Sequence, residues 1–114
     1  MLVEHEGNSI GLVHFTGIES QASADWGFYV APNTPKGSGQ RLGKCALAFA
    51  FKKLQVHKVL GKVVAFNSAS IRFHERLGFS LEGRLREQVL IPPSYHDLLY
   101  FGLLVGEWSQ ISNS

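Results

Sequence analysis

The stretch NTPKGSGQRLG, residues 33–43, gathers Gly37, Gly39 and Gly43 beside Lys36, Arg41 and Lys44. Glycines let successive backbone N–H groups converge. Where such a loop opens onto a helix, those groups and the helix dipole together receive an anion, above all a phosphate. Farther along, Ser70 and His74 stand four residues apart, so on a helix they share one face and can look toward the same ligand. Cys45 is the only cysteine; it sits inside the apolar run CALAFAF and reads as core rather than as a nucleophile.

Two phosphate-binding patterns fail on spacing. A nucleoside-triphosphate loop needs G-x-x-x-x-G-K-[ST], with the hydroxyl on magnesium. Here Gly43-Lys44 is followed by Cys45, a poor magnesium ligand, and Gly37 lies one residue too far back. A dinucleotide fingerprint G-x-G-x-x-G needs glycine at position 42, where Leu42 stands, and an acid about 20 residues on. The next acid is Glu75. What survives is simpler: the amides of Lys36 to Arg41, opening onto a helix N-terminus, form an anion site suited to a pyrophosphate with no metal ligand required. Pro35 has no N–H and contributes nothing to it. Taken alone, the loop also reads as a plain turn between strand and helix.

The elements that must carry these residues follow from periodicity. Leu2–His5 and 10–18 read as strands joined by the turn residues Glu6-Gly7-Asn8-Ser9, a hairpin. Residues 24–31, ADWGFYVA, form a third strand stopped by Pro32. Residues 40–54 are helical by pattern, with Leu42, Ala46, Phe49, Ala50 and Leu54 on one face and Lys44, Lys52 and Lys53 toward water. Val-rich 57–66 is a strand covered on both faces. Strand, glycine loop, helix and strand make a right-handed βαβ unit. A shorter helix over 68–77 ends at Gly78, a C-cap position. Strands over 79–91 and 98–105 follow, with Pro92-Pro93-Ser94 between them.

Size and composition bound the class. A chain of 114 residues, 45% hydrophobic and 18% charged, fits one domain over 1–114 with its own core. A net charge of +2 with scattered basic residues does not argue for nucleic acid. One cysteine allows no internal disulfide, and the first residues carry no basic start followed by an apolar segment. A cytoplasmic setting is expected, with no signal peptide. The longest apolar run is too short to span a bilayer.

The second half of the pattern is NSASIRFHERLGF, residues 67–79. Together with the loop it resembles the GNAT superfamily of acetyl-CoA-dependent N-acetyltransferases. That family's loop reads [QR]-x-x-G-x-[GA]; Thr34-Pro35-Lys36-Gly37-Ser38-Gly39 matches it, with Thr34 in place of the usual Gln or Arg. The family's next strand commonly ends at an asparagine, here Asn67. A helix of the form A/S-x-x-x-Y-x-x-x-G-F follows, met by Ser70, Gly78 and Phe79, with His74 where tyrosine is usual. The resemblance runs from Leu2 to about Trp108. It implies an α/β acyl-CoA N-acyltransferase fold: a mixed, mostly antiparallel sheet with a central splayed parallel pair. The strand and two helices with which family members usually begin are expected to be missing, an N-terminally truncated version of the fold.

The resemblance implies acetyl-CoA as cofactor, with no metal, and distributes roles. The strand over 26–30 splays from that over 59–66, and the pantetheine arm lies in the gap, bonding backbone near Tyr29 and Val30. The pyrophosphate sits on the amides of Lys36, Gly37, Ser38, Gly39, Gln40 and Arg41, with the Lys36 and Arg41 charges beside it. Asn67 bonds the pantetheine or caps the next helix, and Ser70 faces the same gap. An acyl transfer needs a neutral amine, a base or water path for its proton, and an acid for the thiolate. His74 holds the acid's position, with packing against Phe73 and Leu77 as the alternative. Asp25 and His14, on bordering strands, are the candidate bases. Transfer is expected to be direct.

The tail EGRLREQVLIPPSYHDLLYFGLLVGEW, residues 82–108, resembles a subgroup that includes acetyltransferases of ribosomal protein N-termini and an amino-sugar acetyltransferase of pseudaminic acid biosynthesis, a pathway of flagellin glycosylation. With TPKGSG, VHK and SIRFH it implies, as acceptor, the 4-amino group of a UDP-linked 4-amino-4,6-dideoxy sugar; ribosomal N-termini are the alternative. Arg84 and Arg86 are candidates to meet an anionic acceptor, or solvated edge residues. A small-molecule amine is the expected partner, with no nucleic acid or membrane, and an exposed sheet edge could pair two copies as a homodimer. The non-enzymatic alternative is a CoA-binding module with an unfinished acceptor site.

Overall fold

The computed structural model describes residues 2–5, 8–17, 22–30 and 37–112. Strands and helices occur as β1 (Leu2–His5), β2 (Asn8–Thr16), β3 (Ser23–Val30), α1 (Ser38–Ala48), β4 (Lys58–Val64), α2 (Ser68–Arg76), β5 (Ser80–Ile91), β6 (Ser94–Leu104) and α3 (Val105–Ser112). The chain divides into two compact units, Met1–Val59 and Leu60–Ser114.

In the first unit β1, β2 and β3 form an antiparallel meander. Strand alternation is visible in burial: Val13, Ala24 and Trp26 are buried, whereas His14 and Thr16 are exposed and Asp25 is half-buried. Phe15 joins the inner face, its ring 6.5 Å from Trp26 and 6.3 Å from Phe49. Helix α1 buries Leu42, Ala46 and Leu47, and the chain then widens into a π-helical turn, Phe49–Lys53, that buries Ala50 and Phe51.

That turn explains a departure from simple periodicity. A regular helix over 40–54 would place Phe49 and Leu54 on the buried stripe. Bonds to the fifth residue rotate the frame, so Phe51 goes inside, Phe49 is exposed and Leu54 is half-buried. The expectation for Cys45 is also corrected: it is exposed on α1, because the apolar run wraps past the face that meets the core. Gln55 follows with φ 56°, and His57 N–H donates to the Ala22 carbonyl at 3.0 Å.

In the second unit β6 lies between β4 and β5. β5 and β6 are antiparallel, Ser80 opposite Gly102 and Ile91 opposite Ser94. Strand β6 begins at Ser94, four residues earlier than the pattern predicts, directly after a turn whose Pro92–Pro93 peptide is cis. Helix α3 was not expected, since its eight residues continue the apolar tail without a break. Gly78 ends α2 at φ +100°, its N–H on the Glu75 carbonyl (3.0 Å) and the Phe79 N–H on that of His74 (3.0 Å). A Cβ there would fall 2.3 Å from Ile111 Cδ1, so Gly78 serves both the left-handed cap and the approach of α3. The core gathers Val63, Leu77, Phe79, Leu99, Phe101 and Leu103 around one polar ring, His74.

Candidate functional site

The anion-binding half belongs to the first unit. Asn33, Thr34, Pro35 and Lys36 lie outside the described residues. Gly37 is the N-cap of α1 in the left-handed region, φ 88° and ψ −4°, which only glycine adopts without strain. The Arg41 N–H makes the first intrahelical bond, to the Gly37 carbonyl at 3.1 Å. The amides of Ser38, Gly39 and Gln40 therefore stand ahead of the helical ladder, at the positive end of the helix dipole. Among the described residues no side-chain hydrogen bond caps this end, and its first turn holds no acid. Arg41 spends its amide on the helix and brings a guanidinium instead: Nη2 donates to Ser38 Oγ at 3.3 Å, which keeps the charge within a turn of the helix start. A left-handed glycine cap, a helix N-terminus and the Arg41 cation suit a pyrophosphate. Tyr29 and Val30 close β3, paired with Leu12 and Gly11.

The second unit carries the α2 residues. Asn67 takes the N-cap, its Oδ1 accepting the Ser70 N–H at 3.1 Å. The Ser70 carbonyl then accepts from His74 Nδ1 at 2.8 Å. A carbonyl only accepts, so Nδ1 bears the proton of this imidazole. The ring is 4% exposed. It stacks on Phe101 (5.5 Å, 24°) and meets the edges of Phe73 (5.4 Å) and Phe79 (5.0 Å). Burial holds its pKa below the usual histidine value, against the weaker opposing effect of the Ser70 bond.

The expectation that His74 protonates a leaving thiolate meets a geometry that withholds the proton. At neutral pH the ring is uncharged and its single N–H is already donated. The helical spacing of Ser70 and His74 does bring them together, but through a bond that stiffens α2. Packing against Phe73, the plainer alternative, describes what the ring does here.

Among the candidate bases, Asp25 is half-buried opposite Thr16, and His14 is exposed opposite Gly27, two pairs along on the same face of β2 and β3. Arg84, read from sequence as an acceptor contact or a solvated residue, is committed elsewhere: Nε meets Asp97 Oδ2 at 2.6 Å. The other Asp97 oxygen accepts the N–H of Glu87 at 2.8 Å, in the β5 bulge where Glu87 has φ 49°. These two hydrogen bonds, the Glu87 one foremost, hold the Asp97 carboxyl below the usual carboxylate range. Sequence reading missed this device because partners 13 residues apart meet only through β5–β6 register. Among the described residues no group of three or more His, Cys, Asp or Glu could hold a metal, and no helix is long and apolar enough to cross a membrane.

An open glycine-capped helix end after a strand, then an asparagine-capped helix closed by Gly-Phe, defines an acyl-CoA-binding class of protein. Residues 1–80 match the acetyltransferase (GNAT) domain family, and the chain belongs to that family. It is 34% identical over 104 residues to an SPbeta prophage-derived uncharacterized N-acetyltransferase of Bacillus subtilis, covering 89% of this chain and 58% of the relative. A mutant of the spermidine N-acetyltransferase SpeG from Vibrio cholerae superposes with TM-score 0.89 at 30% identity, covering 97% of this chain and 68% of that one. The Vibrio cholerae enzyme in complex with CoA and spermine gives 0.86 at 30%, covering 93% and 64%. The α/β acyltransferase fold expected from the motifs is thus the fold found. The chain spans 58% of the length of the first curated relatives it matches.

Proposed function

We propose that the chain is an N-acetyltransferase that moves an acetyl group from acetyl-CoA to a primary amine by direct attack. The observation that carries this reading is the N-terminus of α1: left-handed Gly37, the amides of Ser38, Gly39 and Gln40 ahead of the helical ladder, and Arg41 alongside. Lys36, the backbone of Tyr29 and Val30, Asn67 and Ser70 enter this proposal as further CoA contacts because they match the family motifs; Asn67 Oδ1 also caps α2.

Bound acetyl-CoA supplies the activated thioester. The protein's part is to orient the donor and to take the proton from the attacking amine; Asp25 and its neighbours on the β2–β3 face are the groups available to do so. A thiol of pKa about 8.5 leaves as thiolate and takes its proton from water, so the chemistry does not require His74 as an acid.

For the acceptor, the polyamine class comes first in this proposal, supported by similarity to a spermidine acetyltransferase seen with spermine. The UDP-linked 4-amino sugar expected from the tail 82–108 is the competing acceptor, supported by that tail alone. The test is thiol release from acetyl-CoA with spermidine, spermine, a UDP-4-amino sugar and ribosomal N-terminal peptides in parallel. Release with spermidine at least about tenfold above the others supports the polyamine reading, and a preference for the sugar replaces it. CoA binding without release on any amine refutes the enzyme and leaves a CoA-binding module.

A further inference from the structure

On the outer face of β2 and β3 one side chain is held in place by the absence of another. His14 pairs with Gly27 across the two strands. A Cβ built on Gly27 would fall 1.9 Å from His14 Cε1, 2.2 Å from Nε2 and 2.7 Å from Nδ1. All three distances are shorter than any contact allows, so the imidazole lies across the backbone of β3 in space that only glycine leaves open. Glycine in the middle of a strand costs stability, about 0.5–1 kcal/mol relative to alanine. Here it gives a fixed seat to an exposed, titratable ring.

The seat is placed where a base is wanted. Two pairs along β3, in the direction of the loop and on the same face, Tyr29 stands opposite Leu12, and Tyr29 and Val30 are the residues assigned to the pantetheine arm. Two pairs in the other direction, Asp25 stands opposite Thr16. Diagonal neighbours on one face of such a ladder lie roughly 7 Å apart. Asp25 and His14 are such diagonal neighbours, so the carboxylate lies beside the ring without taking its seat. Among the side chains of β3 that the structure describes, Asp25 is the acid that shares this face with His14. On the far edge of β2, the pairing with β1 reaches no farther than Leu12, opposite Leu2.

We infer that His14, seated over Gly27, is the general base that takes the proton from the attacking amine. The inference rests on the acetyltransferase reading. The amine nitrogen bonds to the thioester carbonyl carbon, the carbon–sulfur bond breaks, and the amine's proton passes to the unprotonated imidazole nitrogen. The thiolate takes a proton from water, and the imidazolium returns its own to solvent. Histidine is suited to this cycle because its charge changes between pH 5 and 8.

The test compares the wild-type chain with His14→Gln and Gly27→Ala. Three readouts are needed: kcat/KM against pH with the best amine of the panel, CoA affinity by calorimetry, and the imidazole Cε1–H signal of His14 by NMR as spermidine is added without acetyl-CoA. Loss of a general base is expected to lower kcat/KM at pH 7.5 by about 100-fold or more in His14→Gln and to abolish the acidic limb. CoA affinity stays within about twofold, since the base makes no ground-state contact with the nucleotide. Gly27→Ala, with His14 present but unseated, reproduces most of the loss, and the wild-type His14 signal moves as spermidine binds. His14→Gln turning over within about threefold of wild type with the same acidic limb would overturn the inference while leaving the acetyltransferase standing. An unmoved His14 signal in a chain that acetylates spermidine would overturn it as well. A chain that binds CoA but releases thiol with none of the amines overturns both.

Discussion

Replacing His74 by phenylalanine separates a structural ring from a catalytic one. The imidazole is neutral in the folded chain, with burial holding its pKa below the ordinary value of about 6.5. In the unfolded chain it protonates near that value. Below pH 6.5 the unfolded state binds more protons than the folded one, so stability falls as pH falls. The contribution is fully present above the unfolded pKa and is lost as pH drops from there toward the folded pKa. Each pH unit inside that window costs at most about 1.4 kcal/mol. Between pH 7.5 and 5.5 the wild type should therefore lose up to about 1.4 kcal/mol at this residue, close to 6 °C in Tm for a domain of this size. His74→Phe lacks the titration, and at pH 7.5 gives up the Ser70 bond at 2.8 Å, worth about 1 kcal/mol net. The assay is thermal unfolding of both proteins at the two pH values, with thiol release measured well below both melting temperatures. The variant should start lower and fall less on acidification, and its turnover should stay within about tenfold of wild type. An acid role would cost about 100-fold or more. A variant with unchanged pH dependence of Tm, or with turnover lost by that factor while folded, would refute the assignment.

Gly78→Ala forces a left-handed residue against Ile111 Cδ1 and should destabilise by about 1–3 kcal/mol in urea unfolding; a loss below about 0.5 kcal/mol would mean that α3 yields easily. Gly37→Ala meets open space but keeps φ 88°, so only backbone strain of about 1–2 kcal/mol applies. It should appear as CoA affinity roughly tenfold weaker in calorimetry, and undiminished affinity would remove the α1 end from the donor site. Asn67→Ala deletes the cap on Ser70 and should cost about 1 kcal/mol, with a matching rise in amide exchange over the first turn of α2. Asp97→Asn should loosen the Arg84 pairing and the Glu87 turn, read as faster exchange of the Glu87 amide, with exchange elsewhere in β6 unaltered.

Features governed by neighbours in sequence were legible at once. The hairpin of β1 and β2, the glycine loop ahead of α1 and the helix stop at Gly78 each follow from residues within a turn of one another, whereas α1 starts at Ser38, ahead of the expected residue 40, and the Asn67 cap stood as one of two readings. Boundaries were less so where one local rule displaced another: the π-helical turn at Phe49–Lys53 moved Phe51 inward, and β6 began at Ser94 because the two prolines needed no longer turn. Helix α3 escaped notice because VGEWSQIS carries no break from the strand before it.

By itself the sequence marked which backbone could bind an anion, since a glycine-rich loop opening onto a helix is a local pattern that spacing reveals; the left-handed conformation of Gly37 came from the structure. It also determined the family, through two motifs in the right order. Whether a titratable side chain lies in the core or open to solvent was decided only by tertiary structure. His74 and His14 look alike on paper, one on a helix face and the other on a strand. Packing put the first among Phe73, Phe79 and Phe101 with its proton spent on Ser70, and strand register laid the second in the open over Gly27. Burial and cross-strand pairing join residues far apart in the chain, and those two relations set the charge, the reach and the work of an imidazole.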